Sequence, residues 1–168
     1  MAQTVNGRRA ERSSAIEAGA VAGAVAGLAM AGVAMAHSAV VGLGPWLPVD
    51  LIAGAVAGVR ALLGGAGIAA AGVAVHLAVA ALWGAVFGAV TRGRLRSGRA
   101  LFGGLVYGGL LYLVVTFGAL PWANPLMADR VSQWRGAFLA GHLVYGVVLA
   151  GLLPLLRERR ERQRGAGF

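Results

Sequence analysis

A chain of 168 residues that is 58% apolar and 12% charged, with a mean hydropathy of +0.75, lies outside the soluble globular range and inside that of polytopic membrane proteins. It has no cysteine, which excludes a disulfide framework, thiol chemistry and any cysteine-ligated centre. The net charge of +9 comes from 15 basic residues, all of them arginine, and their placement speaks for membrane topology and against a nucleic-acid partner.

Residues 1–14 form a polar tail with Arg8, Arg9 and Arg12, followed by an apolar run over 15–41 that is broken by Glu17, His37 and Ser38. Ala34-Met35-Ala36 resembles a signal-peptidase site, but the run exceeds the ~7–15 residues of a signal core, so a first transmembrane helix is the better reading. Gly42 to Pro48 ends it, with Pro45 and Trp46 as an interfacial corner, because proline removes backbone donors and tryptophan favours the headgroup level. Over 50–63 the apolar residues Leu51, Ile52, Val56, Val59, Leu62 and Leu63 fall at helical spacing. The stretch is too short to span, so it is expected as a helix lying in the interface. Gly64-Gly65-Ala66-Gly67 is a break with no strand before it, so its glycines are not a dinucleotide loop. A second span covers 68–90 and holds His76. A third covers 100–120, closing on Gly118-x-x-Pro121-Trp122. After a short polar link with Asp129 and Arg130, a fourth covers 136–156 and contains His142-Leu143-Val144-Tyr145-Gly146, and a basic tail fills 157–168.

The arginines orient these spans. Three in the N-terminal tail, four in the middle loop (Arg92, Arg94, Arg96 and Arg99) and five in the C-terminal tail share one side, leaving Arg60, Arg130 and Arg135 opposite. By the positive-inside rule both termini are cytoplasmic, in a bacterial inner membrane, with anionic lipid headgroups as partners. A fifth span over 50–63 would place nine arginines outside and is rejected.

A shift of 76 positions lays Gly42-x-x-Pro45-Trp46 on Gly118-x-x-Pro121-Trp122, and a shift of 66 lays His76-Leu77 on His142-Leu143. The expected fold is therefore all-α, with four transmembrane helices in two parallel-repeat hairpins plus one interfacial helix. Gly19, Gly23 and Gly27, then Gly84 and Gly88, then Gly103 and Gly108, then Gly146 line the spans, and small residues let helix backbones touch in lipid. The same spacing leaves room for a flat cofactor between helices.

The order of features, and above all Pro121-Trp122 and the His142 to Gly146 stretch, resembles the YagU-like group of small bacterial inner-membrane proteins. The resemblance covers most of the chain and implies a multi-pass membrane protein, with no activity or site residue to carry over.

The ionisable residues within the spans are His37, His76 and His142, each roughly 6–13 Å below the non-cytoplasmic surface at ~1.5 Å per residue. No carboxylate lies deep in a span and no hydrolase motif is present, which argues against an ion-coupled pump and against an enzyme. The first reading of the histidines is interhelical hydrogen bonding, with Ser38, Tyr107, Tyr112 and Tyr145 as the partners within reach. The second is bis-imidazole ligation of a b-type haem by His76 and His142. The third is a metal site of His37, His76 and His142. The corresponding functions are a structural or accessory membrane component, in a homo-oligomer or larger complex; a haem electron carrier; and a small transporter or channel.

Overall fold

The computed structural model describes residues 2–91 and 97–165 and contains no strand among them. Its elements are α1 (Ala2–Val40), α2 (Leu47–Ala57) continuing into a 3-10 stretch (Gly58–Leu63), α3 (Ala66–Thr91), α4 (Ser97–Leu113) passing through a π-helical stretch (Val114–Ala119) into α5 (Leu120–Ala123), α6 (Pro125–Gln133) and α7 (Arg135–Gly165). Four stretches, Arg12–Val40, Ala66–Thr91, Arg99–Ala123 and Arg135–Arg160, are long and apolar enough to cross ~30 Å of hydrocarbon. Arg92, Arg94 and Arg96 of the middle loop lie outside the described residues.

The bundle has small residues inside and large apolar ones outside. Ala18, Ala22 and Ala26 are fully buried, whereas Leu28, Leu82, Phe102, Leu110 and Phe117 are each more than half exposed. Water would punish that arrangement, but lipid does not, because a leucine gains nothing by leaving hydrocarbon for a protein core. Four helices so patterned define an integral membrane helix bundle.

Its helices meet where glycine and alanine remove side chains. α1 packs along α3 and α7, and α7 packs along α4. A Cβ on Gly23 would lie 2.8 Å from Gly84 Cα, one on Gly27 2.6 Å from Ala80 Cβ, and one on Gly104 2.7 Å from Ala150 Cβ. Gly19, Gly84 and Gly88 likewise face the partner helix backbone across the α1–α3 contact, and Gly108 and Gly146 do so across the α4–α7 contact. In α4 Gly104 takes a close contact of this kind, and its neighbour Gly103 is half-buried. Among the described residues α3 and α4 pack less closely than these pairs. Tyr107 bridges them, its ring 4.8 Å from that of Phe87 and its hydroxyl donating to Trp83 O at 2.6 Å.

The connections depart from expectation in instructive ways. α1 stops in a Schellman turn: Leu43 N donates to Ser38 O at 3.0 Å and Gly42 N to Ala39 O at 3.1 Å, with Gly42 at φ 79°. Ser38 is fully buried and donates from its hydroxyl to Gly44 O at 2.7 Å, closing the same turn. The single helix expected over 50–63 starts at Leu47 and breaks at Gly58, whose φ of 55° suits glycine. α2 buries Val49, Leu51 and Ala53 and packs on α3, while Val56, Val59, Leu62 and Leu63 remain exposed, as in a helix with a lipid-facing side. The polar link after the third span is itself helical, as α5 and α6. Pro121 therefore sits in the first turn of α5, directly after the π-helical stretch, and Trp122 is 87% exposed beside it. Trp46 is exposed in the turn before α2, as expected of a residue at the interface.

Candidate functional site: a cavity lined by the histidines

One cavity of about 300 Å³ lies within the bundle, walled by α1, α3, α4 and α7 and covered by α2 and α6. His37, His76 and His142 all line it, so their shared depth in the sequence becomes a shared chamber. The rest of its wall is overwhelmingly apolar, and Trp83, Trp134, Phe138 and Tyr145 contribute rings.

Each histidine is held differently. His76 on α3 reaches α1, with Nε2 2.8 Å from Gly27 O. A carbonyl only accepts, so Nε2 carries the proton and donates. This contact exists because residue 27 is glycine and lets the ring lie against its backbone. His142 on α7 is 4% exposed and donates from Nδ1 to Phe138 O of its own helix at 2.9 Å. In the neutral ring this leaves Nε2 with a bare lone pair. Phe138 packs edge-on to His142 at 4.5 Å between centroids, and Tyr112 does so at 6.0 Å. His37 on α1 stands edge-on to Trp134 at 5.5 Å, its Nε2 buried without a hydrogen-bond partner. Arg130 in turn lies over the Trp134 ring at 5.1 Å.

For His76 and His142 the side-chain partners expected are replaced by backbone carbonyls. Tyr145 Oη donates to Ala80 O at 2.6 Å, joining α7 to α3, and Tyr107 Oη donates to Trp83 O, joining α4 to α3. The reason is the sequence itself: with so many small residues, carbonyls lie open to neighbouring helices and there are few polar side chains to meet. Asn124, unremarked in the sequence, is 4% exposed and does two jobs. Its Oδ1 accepts from Met127 N at 3.1 Å, capping α6, and its Nδ2 donates to Leu51 O at 2.8 Å, fastening α6 to α2. The signal for it was Asn124-Pro125, a cap residue followed by proline at the first helical position.

These geometries bear on the cofactor readings. Iron ligation by an imidazole through Nε2 needs a lone pair there, and His76 uses that nitrogen to donate to Gly27 O. The pair His76 and His142 therefore does not fit bis-imidazole haem ligation as it stands. Among the described residues no group of three His, Cys, Asp or Glu gathers closely enough to hold a metal ion. His37, His76 and His142 line the same chamber, but Trp134, Gly27 and Phe138 respectively hold them at separate places. Comparison with protein families, with characterised proteins and with solved structures finds no match to the chain.

Proposed function

We propose that the protein is a non-enzymatic component of the bacterial inner membrane, a four-span bundle that serves a structural or accessory role in a homo-oligomer or larger membrane assembly. One observation carries this reading: His76, Tyr107 and Tyr145 each spend their donor on a backbone carbonyl of a neighbouring helix. Polar groups used this way hold helices in register, at ~0.6–2 kcal/mol each in lipid. The proposal places both termini in the cytoplasm, on the arginine count of twelve against three. Two parallel-repeat hairpins belong to the same reading, supported by the way α1 on α3 and α4 on α7 each pack through glycine and alanine. So does kinship with the YagU-like group, on Pro121-Trp122 and His142 to Gly146.

Two experiments test it. The purified protein is expected to be colourless, and a Soret band lost in both His76→Ala and His142→Ala would replace the structural reading with a haem carrier. Ser97→Cys should label from the cytoplasmic side and Ser132→Cys from the opposite side of intact cells. Labelling of Ser97→Cys from outside would overturn the topology.

A further inference from the structure

Staples between helices need no empty space, yet this bundle holds a partly open chamber of about 300 Å³, at the small end of the roughly 300–1,000 Å³ typical of ligand sites. Helix packing could have filled it with leucine at no chemical cost. On its wall His37 Nε2 is buried without a hydrogen-bond partner, and His142, whose Nδ1 donates to Phe138 O, keeps an accessible acceptor lone pair on Nε2. His142 is 4% exposed, so little of it meets the surroundings of the bundle. An unmet polar atom at this depth is expensive, and a ligand that supplies the missing partner recovers the cost.

We propose that the chamber is a binding site for a lipid-soluble phenol, whose hydroxyl donates to His142 Nε2 while its ring and tail take the apolar space. The donor requirement follows from the tautomer: Nδ1 donates to Phe138 O, so Nε2 can only accept. The aromatic requirement follows from the wall, where Phe138 packs against His142 and Trp83, Trp134 and Tyr145 complete a ring-lined space. The entry is lateral. α3 and α4 are bridged by Tyr107 against Phe87 and Trp83 and pack less closely than α1 on α3 or α4 on α7 among the described residues. Val79 of α3 lines the chamber and is 46% exposed, and Ala119 on the opposing π-helical stretch also lines it and is exposed. In the proposal a molecule already dissolved in the hydrocarbon enters on this side of the bundle.

The inference rests on the membrane reading for its supply of ligand and is independent of the accessory role. The test uses the full chain in lipid vesicles with Trp46→Phe and Trp122→Phe, which leaves the chamber residues Trp83 and Trp134 as the fluorophores. The probes are a para-(bromoalkyl)phenol, whose bromine quenches indole emission, and its methyl ether, which partitions into lipid but cannot donate. The phenol is expected to quench saturably and at a concentration at least ten-fold below that needed for the ether. His142→Leu should make the two probes equivalent, and Ala34→Phe, which fills the chamber without touching a hydrogen bond, should weaken both. Equal quenching by the two probes in the parent protein, or a preference for the phenol that survives His142→Leu, would overturn the proposal. Failure of the protein to float with the vesicles would refute the membrane reading itself, so the two failures are distinguishable.

Discussion

Adding one methyl group at the α1–α3 crossing should unsettle the whole bundle. In Gly23→Ala the new Cβ would stand 2.8 Å from Gly84 Cα and 3.1 Å from Gly84 N, and it would overlap Ala80 O. Carbon atoms rest at ~3.5–4.0 Å, so the helices must separate by about 1 Å, and a gap of that size forfeits roughly a quarter to a half of each contact along the crossing. Overpacking of this kind costs ~1–3 kcal/mol. The separation also strains the His76 bond to Gly27, one turn away. Against this stands the better helix propensity of alanine, a gain of up to ~1 kcal/mol. The balance is destabilising by ~1–2 kcal/mol. Gly32→Ala, in the same helix but with nothing within 4 Å of its Cβ, keeps only the propensity gain and should be neutral or slightly stabilising. The assay is the SDS fraction at which helicity is lost in mixed micelles. Identical midpoints for Gly23→Ala and Gly32→Ala would refute the claim that the small-residue crossing holds the bundle.

His76→Leu keeps the bulk of the ring and loses the bond to Gly27 O, so it should lower the SDS midpoint by the equivalent of ~0.6–2 kcal/mol, with partial recovery in His76→Gln. Full stability in the leucine variant would mean the bond contributes nothing. Asn124→Ala removes the cap of α6 and the tie to Leu51 together, at ~1–2 kcal/mol, and should speed amide exchange over 125–133 while sparing α3. Unchanged exchange there would contradict the assignment of Asn124 as the fastener. Tyr145→Phe deletes the donor to the carbonyl of Ala80 without altering shape and should destabilise by a similar ~0.6–2 kcal/mol, read by the same SDS titration.

The spans were legible because hydrocarbon imposes a length and a composition on any helix crossing it, and Ala66–Thr91 and Arg135–Arg160 follow that rule without interruption. The glycines of the crossings were legible for the same reason, since Gly19, Gly23, Gly84 and Gly88 recur at four-residue spacing. Partners of the histidines were not. Which carbonyl His76 would reach depends on how α1 and α3 slide past each other, and no pattern within either helix sets that register. The helical link 120–133 was obscured because its composition is mixed and its caps, Ala119 and Asn124, lie among residues that suit a loop equally well. The chamber was invisible for a deeper reason: it exists where four helices fail to meet, and a sequence records the residues that touch more clearly than those that leave a gap.

The π-helical stretch before α5 has a bearing on how this chain tolerates insertion and loss. Leu111 and Leu120 are both buried and both face the chamber. They are nine residues apart in the chain, which at ~100° per residue would put them on opposite sides of an unbroken α-helix. Wider winding over Val114–Ala119 turns the chain less per residue and brings Leu120 back toward the side of Leu111. Length and facing are thus coupled here: one residue more or fewer in this stretch is a rotation of everything from Leu120 to Asn124, and so decides whether the lid formed by α6 closes over the chamber or turns away from it.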